Sequence, residues 1–232
     1  MKRVVIIVIG ALLVVLIGGG VLLYQWGVFE DSAAPSGPIS AVPLAQEPAG
    51  AAAGSLLFQI VPDQSQVRFT LSEVLRGKPN EVVGTSKQVA GEIAVTPNDL
   101  SATKVGVIRI DARTLTTDDS RRNRTINNFI LDTRTYEYIT FTPTEIKGLQ
   151  GAAEQGKPLK FQIVGDLTIR DVTRPVVFEI SAKADSPTQL SGTATTTINR
   201  ADYKLNIPSV PFVASVGEQV KLDIDFVAVA KS

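Results

Sequence analysis

The chain contains neither cysteine nor histidine in its 232 residues. Without cysteine it has no disulfides, no thiolate nucleophile, and no iron–sulfur or cysteine-ligated zinc site. Without histidine it has no Ser-His-Asp triad, no histidine-ligated metal, and no side chain that ordinarily titrates near neutral pH. The chain therefore lacks the residue types that most hydrolytic and redox active sites use. We therefore expect a binding protein that is not an enzyme and carries no metal or other cofactor.

The chain also has no excess of charge of either sign, because 23 lysines and arginines balance 23 aspartates and glutamates. No overall electrostatic field attracts nucleic acid, so we expect no nucleic-acid partner. Hydrophobic residues make up 44% of the sequence and charged residues 20%, which excludes a disordered charged chain. The length fits one domain of moderate size with an appendage, or two small domains.

Charge is missing altogether from the twenty residues between Val4 and Leu23. A helix of this length, at about 1.5 Å per residue, is about 30 Å long and matches the hydrocarbon core of a bilayer. Lys2 and Arg3 precede this run, so the positive-inside rule predicts a cytoplasmic N-terminus. We predict a membrane anchor in residues 1–30, with a single transmembrane helix at about 4–23. The remainder is expected on the extracytoplasmic side of the cell membrane, in a periplasmic or extracellular position.

The alternative interpretation of this run is a cleaved signal peptide. The apolar region of a signal peptide is usually about 7–15 residues long and ends in a small-x-small cleavage site. The run in this chain is longer, and its small residues, Gly18 to Gly20, lie inside the apolar stretch. The pattern favours an anchor that stays attached.

Residues 31–54 are rich in alanine, proline, glycine and serine and contain no lysine or arginine. Four prolines, at positions 35, 38, 43 and 48, interrupt any helix. This composition predicts a flexible linker that holds a folded domain close to the membrane without burying it.

Residues 55–232 carry the period-two alternation of β-strands. Between Val220 and Phe226, for example, apolar residues alternate with lysine and aspartate. Turn signals such as Lys78-Pro79-Asn80 separate runs of this kind and divide the domain into about eight strands with short links. The polar stretch Thr117 to Asn128 predicts a short helix over one end of the sheet.

Strands that are apolar on one side only need a common interior, and a closed barrel provides one without exposed edges. We therefore predict an all-β fold: an antiparallel eight-stranded barrel with one short helix near one end, preceded by the single N-terminal transmembrane helix. The side chains predicted to face the interior, and so to be candidates for lining a cavity, are Phe69, Leu71, Ile108, Ile110, Phe141, Phe161, Ile163, Phe178, Ile180, Ile198, Leu222, Ile224 and Phe226.

Composition alone leaves open whether such a barrel is hollow or filled by its own side chains. A ligand inside it should be long and apolar, because burying a polar group without a partner costs about 1–3 kcal/mol. A filled barrel would instead serve as an extracytoplasmic structural or interaction domain with no ligand. Arg121, Arg122 and Arg124 could meet an anionic head group. The alternative is a solvated helix face on which Asp118 and Asp119 neutralise these arginines.

An ordered set of short motifs resembles the YceI-like family of polyisoprenoid-binding domains and covers nearly all of residues 56–230. The most specific piece is Gly165-Asp166-Leu167-Thr168-Ile169-Arg170-Asp171-Val172-Thr173-Arg174-Pro175-Val176, which is similar to the family's Gly-x-Leu-Thr-x-x-Gly-Val-Thr-x-Pro-Val. The other pieces are Ile60 to Phe69, Val83 to Thr85, Val89 to Ile93, Ile110 to Thr117, Arg122 to Ile126, Tyr136 to Phe141 and Ile198 to Tyr203.

The resemblance implies a lipocalin-like barrel whose long apolar cavity holds an isoprenoid chain, such as a quinone tail or a polyprenyl carrier. On this basis we expect a membrane-tethered extracytoplasmic protein that transports, stores or sequesters an isoprenoid lipid. The chain departs from the family where histidines are common, at Gln64 and Thr125, and at Asp171, where the turn glycine is usual. Any role of those histidines cannot apply to this chain.

Overall fold

The computed structural model of the protein describes residues 32–35, 37–44, 54–208 and 213–231. The predicted anchor in residues 1–30 lies outside the described residues, as does part of the predicted linker. Within the described ranges, no helix combines the length and the apolar character needed to cross a membrane.

Thirteen strands form one antiparallel sheet in the described part of the chain. They are β1 (Leu56–Ile60), β2 (Gln66–Leu75), β3 (Lys78–Ser86), β4 (Val89–Ala90), β5 (Glu92–Val95), β6 (Lys104–Val105), β7 (Ile108–Asp111), β8 (Tyr138–Lys147), β9 (Leu159–Ile169), β10 (Val172–Ser186), β11 (Gln189–Asn199), β12 (Val213–Val216) and β13 (Gln219–Ala230). The all-β antiparallel prediction is confirmed.

The predicted number of eight strands is wrong, because local breaks divide several lengths of extended chain. Pro62 begins a 3₁₀ turn, Pro62–Gln64, that separates β1 from β2. Gly91 lies between β4 and β5, and Gly106 lies between β6 and β7. Proline and glycine interrupt ladders for known reasons: proline has no N–H to donate, and glycine has no side chain to pack. Alternation over a whole run does not reveal such breaks.

The sheet curls around an interior, and its wall is completed by strand pairing together with the chain that runs from β3 through β4 to β5. Strand β1 pairs with both β5 and β13, and β2 pairs with both β3 and β13. Strand β7 pairs with β4 and β8, and β8 leads through β9, β10 and β11 back to β13. Since β3, β4 and β5 follow one another along the chain, these pairings close an enclosure, which we call the barrel.

The helix α1 (Ser120–Thr125) covers one end of the barrel and runs directly into a π-helical turn, Ile126–Ile130. This confirms the short helix predicted between Thr117 and Asn128. Asp119 caps α1 by accepting hydrogen bonds from the backbone N–H groups of Arg121 and Arg122, at 2.8 and 3.0 Å. We call this end, together with the β2–β3 and β9–β10 turns and residues 200–208, the capped end. The opposite end, with the β10–β11 turn, is the far end.

The described part of the predicted linker lies against the outside of the barrel. Ile39 is buried, and its backbone N–H donates to the Gln88 side chain at 3.1 Å. Further along, the Leu44 N–H donates to the carboxylate of Glu92 at 2.7 Å. We call residues 32–35 and 37–44 the N-terminal strap.

Candidate functional site

A cavity of about 700 Å³ occupies the barrel toward the capped end. We call it the main cavity. Its size falls in the range of about 300–1,000 Å³ that is usual for small-molecule sites. Nine of the thirteen side chains predicted to face inward line it: Phe69, Leu71, Ile108, Ile110, Phe141, Phe178, Ile198, Leu222 and Ile224. The interior is therefore hollow at this end, which argues against the filled-barrel alternative.

A second and smaller cavity, of about 140 Å³, lies toward the far end. We call it the inner cavity. The remaining four predicted side chains, Phe161, Ile163, Ile180 and Phe226, line it. All thirteen predicted positions thus lie on the wall of one cavity or the other. This placement follows from period-two alternation, which puts every second side chain of a strand on the same face.

Four side chains, Ile108, Phe141, Phe178 and Ile224, line both cavities and form the partition between them. The rings of Phe141 and Phe178 meet edge to face, with centroids 4.9 Å apart and an interplanar angle of 66°. This is a preferred geometry for aromatic pairs because the positive ring edge faces the negative ring face. Both phenylalanines are buried.

Glycines make room for the inward-facing rings. Gly84 pairs with Phe69 across β2 and β3, and a Cβ at Gly84 would overlap that ring. A Cβ at Gly165 would lie 2.6 Å from ring atoms of Phe141. These rings therefore lie over bare backbone rather than projecting fully into the interior. The glycines help to keep the cavities open.

Charged side chains line the main cavity at the capped end. Arg121 and Arg122, two of the three predicted head-group contacts, are among them, whereas Arg124 does not line the cavity. Arg122 donates to the buried carboxylate of Glu73 at 3.1 Å and to Asp118 at 2.6 Å. This pairing orients the guanidinium of Arg122 at the edge of the cavity.

Three arginines that line the main cavity were not predicted, and one of them, Arg68, lies within β2. Arg76 lies in the β2–β3 turn and Arg200 follows β11, and both line the main cavity. Because Arg76 and Arg121 are also exposed, the main cavity reaches solvent at the capped end. Arg76 and Arg200 lie just beyond the ends of β2 and β11, so alternation within strands gives no signal for them.

Apolar residues outside the predicted set also contribute to the wall of the main cavity. Some belong to strands and others to the segments that cover the capped end: Val67, Leu75, Val82, Leu115, Ile126, Ile130, Leu131, Ile139, Leu167, Ile169, Leu205, Ile207, Pro208, Val216 and Val220. Strand alternation could have found Val67, Leu167, Ile169 and Val220. The covering segments could be assigned only once the fold placed them over the capped end.

Thr125, one of the positions at which the sequence departs from the family that it resembles, lies on the main cavity wall. Its hydroxyl donates to the Arg121 carbonyl at 3.1 Å, an internal bond of α1. At this position the chain therefore presents a small neutral side chain, with no titratable group.

Asp119, which caps α1, also lies beside the main cavity. The backbone N–H of Arg122 stabilises its ionised form, with a smaller contribution from the N–H of Arg121, and these hydrogen bonds lower the pKa of the Asp119 carboxyl from its ordinary value. The carboxylate therefore stays charged at neutral pH and holds the first turn of the helix in place.

Comparison with known proteins agrees with the fold and with the resemblance seen in the sequence. The model of the YceI-like domain family matches residues 58–228. A UPF0312 protein of Staphylococcus epidermidis is 26% identical over 167 residues, which cover 68% of this chain and 89% of that protein.

Solved structures share the fold. A polyisoprenoid binding domain from Saccharophagus degradans, implicated in plant cell wall breakdown, aligns with a TM-score of 0.61 and 15% identity over 76% of this chain and 99% of that one. BcnA of Burkholderia cenocepacia aligns with a TM-score of 0.57 and 18% identity over 73% of this chain and 99% of that one. The family match covers most of the chain, and the fold agrees with it. The chain belongs to the YceI-like domain family.

Proposed function

We propose that this protein is a membrane-tethered extracytoplasmic binding protein that encloses an isoprenoid lipid, such as a quinone or a polyprenyl chain, in its main cavity. Its role would be to transport, store or sequester that lipid. The observation that carries the proposal is the cavity of about 700 Å³, walled by aliphatic and aromatic side chains and edged with arginines at the capped end.

The chemistry of the wall favours a long apolar ligand. Each CH₂ group transferred from water into such a cavity gains about 0.8 kcal/mol, so a hydrocarbon tail can be held without specific polar contacts. The branched isoprenoid class is supported by the family and by the relative from Saccharophagus degradans, which is described as a polyisoprenoid binding domain.

The arginines at the capped end suit an anionic or strongly polar head group. Guanidinium groups bind phosphate oxygens in a bidentate manner. Arg121 is exposed, and Arg122 is held at the cavity edge by Glu73. In this arrangement the tail lies in the barrel and the head group stays at the capped end, where the ligand enters and leaves.

Tethering rests on the sequence. The uncharged run from Val4 to Leu23 and the two basic residues before it support a membrane anchor with the barrel outside the cytoplasm. An anchor would keep the barrel within reach of the bilayer from which an isoprenoid lipid is drawn. The proposed mechanism is the transfer of an apolar chain between bilayer and barrel, and it makes or breaks no bond.

The test is to purify the full chain from membranes in detergent, extract it with organic solvent and identify lipids by mass spectrometry. Leu71→Trp places a larger side chain in the main cavity, and Val83→Trp places the same side chain on the exposed outer surface as a matched control. We expect prenyl lipid with the native chain and with Val83→Trp, and a loss of several-fold with Leu71→Trp. Equal recovery from all three proteins, or no prenyl lipid from the native chain, would refute the proposal.

A further inference from the structure

The N-terminal strap runs along the outer wall of the barrel from the capped end toward the far end. At its start, the Ala34 carbonyl accepts a hydrogen bond from Arg113 at 3.3 Å. Arg113 belongs to the capped end, because its Nε donates to the Thr133 carbonyl at 3.1 Å and Leu115, two residues on, lines the main cavity. The chain therefore reaches the barrel beside the mouth of the main cavity.

The rest of the strap contacts positions progressively farther from the capped end. The buried Ile39 bonds to Gln88, just before β4, and Leu44 bonds to Glu92 at the start of β5. Glu92 is itself almost fully buried and also forms an ion pair with Lys231 at 3.2 Å. One carboxylate thus joins the strap to the C-terminal end of the domain.

Because the strap contacts the barrel from Ala34 onward, the tether between the predicted anchor and the barrel is shorter than the linker of residues 31–54 that the composition predicted. Only ten residues, 24–33, separate the end of the uncharged run at Leu23 from Ala34. A fully extended chain spans at most about 3.3–3.6 Å per residue, so ten residues reach no more than about 35 Å. A short tether that starts at the capped end restricts which face of the barrel can approach the membrane.

The exposed surface of the capped end carries basic and aromatic side chains beside the acidic residues Asp118, Asp171 and Asp202. Arg121 and Arg124 are exposed and form no ion pair with a described residue, whereas Asp118 is paired with Arg122. Phe129, in the π-helical turn that follows α1, keeps 37% of its surface exposed. Basic groups are attracted to anionic lipid head groups, and an aromatic side chain can enter the interface between head groups and acyl chains.

We propose that the N-terminal strap holds the barrel with its capped end against the surface of an anionic phospholipid bilayer, where Arg121, Arg124 and Phe129 make the contact. The inference rests on the proposed tethering. It adds that the mouth of the main cavity faces the membrane, so that a lipid passes between bilayer and barrel without crossing open water.

The absence of cysteine makes the orientation measurable in the full chain. Ser120→Cys places a single thiol at the capped end, and Thr188→Cys places one in the β10–β11 turn at the far end; both positions are exposed. Each protein is labelled with the same fluorophore and reconstituted in vesicles of phosphatidylcholine and phosphatidylglycerol that contain a head-group quencher lipid. We expect several-fold stronger quenching at position 120 than at position 188.

The strap is tested by Ile39→Asp, which places a charge at a buried contact, and by the milder Gln88→Ala, which removes the acceptor of the Ile39 N–H. Val42→Asp is the matched control, because Val42 belongs to the same strap but is exposed. Circular dichroism checks that each variant keeps its sheet. We expect the ratio of quenching at the two ends to fall toward one in Ile39→Asp and Gln88→Ala and to stay unchanged in Val42→Asp.

The lipid contact is tested by Arg121→Glu combined with Arg124→Glu, and separately by Phe129→Ser. Each should reduce quenching at the capped end, and the charge reversal should also remove its sensitivity to salt. Equal quenching at the two ends of the native chain, a ratio that survives Ile39→Asp, or failure of the full chain to insert in vesicles would overturn the inference. So would capped-end quenching that appears only when a second protein is added.

Lipid extraction from the same purified protein, before it is reconstituted in vesicles, separates the two proposals. Prenyl lipid in the barrel without an orientation preference would overturn only the orientation. A clear preference without bound prenyl lipid would overturn only the proposed ligand.

Discussion

The ring of Phe141 packs edge to face on the ring of Phe178, with centroids 4.9 Å apart, at the boundary between the main and inner cavities. Phe141 comes from β8 and Phe178 from β10, so the contact spans β9, which lies between them in the sheet. The pair therefore divides the interior of the barrel and would limit the depth that the tail of the proposed lipid can reach.

Phe178→Ala should join the two cavities. We expect the lipids recovered with this variant to shift toward longer chains, because the tail can extend into the space now walled off. The lost packing should lower the free energy of unfolding by about 3–5 kcal/mol. Chemical denaturation and mass spectrometry of extracted lipids measure the two effects. Ile198→Ala is the control, since Ile198 lines the main cavity only; a shift of equal size there would contradict the partition.

Gly84→Val should narrow the main cavity from its wall. A Cβ at this position would overlap the ring of Phe69 and push it inward, at a cost of about 1–3 kcal/mol in stability. We expect less bound lipid in Gly84→Val and partial recovery when Phe69→Ala is added. Comparison of the two single variants with the double variant measures the coupling. Strictly additive effects on lipid binding would show that the ring is not what the new side chain displaces.

Asp119→Ala should destabilise the cap of the barrel. Loss of the two hydrogen bonds to the first turn of α1 should cost about 0.5–2 kcal/mol of stability, and Asp119→Asn should recover most of it because an amide oxygen can still accept them.

The stability lost in Asp119→Ala should become smaller as the pH falls into the acid range. Because the pKa of Asp119 is lowered in the folded protein, the charged cap contributes fully above the ordinary carboxyl value of 3.8 and is lost as the pH falls through the lowered pKa. Denaturation of the native chain and Asp119→Ala should therefore differ most above pH 4 and converge in stronger acid. A constant difference would contradict this role.

Tyr203→Phe should stabilise the domain and alter its alkaline unfolding. The Tyr203 side chain is buried, its hydroxyl has no hydrogen-bond partner among the described residues, and burial raises the pKa of this phenol to about 12. Removal of this unsatisfied buried hydroxyl should raise the free energy of unfolding by about 1–3 kcal/mol. Between pH 10 and 12 the unfolded chain ionises before the folded one, so native stability should fall there relative to Tyr203→Phe. Thermal melts of both proteins at pH 8 and pH 11 test this. A difference in melting temperature between them that is the same at both pH values would refute it.

Strand alternation predicts side-chain direction well, and this explains how much of the site was accessible from the sequence. In β13, Leu222, Ile224 and Phe226 follow a strict period of two, and all three lie on a cavity wall. The same rule holds in β2 for Phe69 and Leu71. Alternation needs no knowledge of neighbouring strands, so it works wherever a strand is apolar on one face only.

Features that depend on contacts between distant parts of the chain were not predicted. The partition depends on how the rings of Phe141 and Phe178 meet, and their positions are 37 residues apart in sequence. In the sequence, Ile39 is a single apolar residue in a proline-rich linker. Its contact with the outer wall of the barrel near Gln88 is seen only in the structure. Arg76 and Arg200 lie beyond strand ends, where the direction of a side chain depends on the turn and not on periodicity.

The most direct test of a hollow lipid-binding barrel is native mass spectrometry of the intact full chain released from detergent. We expect a species heavier than the bare chain by the mass of one prenyl lipid, abundant for the native protein and for Val83→Trp and strongly reduced for Leu71→Trp. A spectrum that contains only the bare chain, or adducts that do not change when the main cavity is filled, would contradict it.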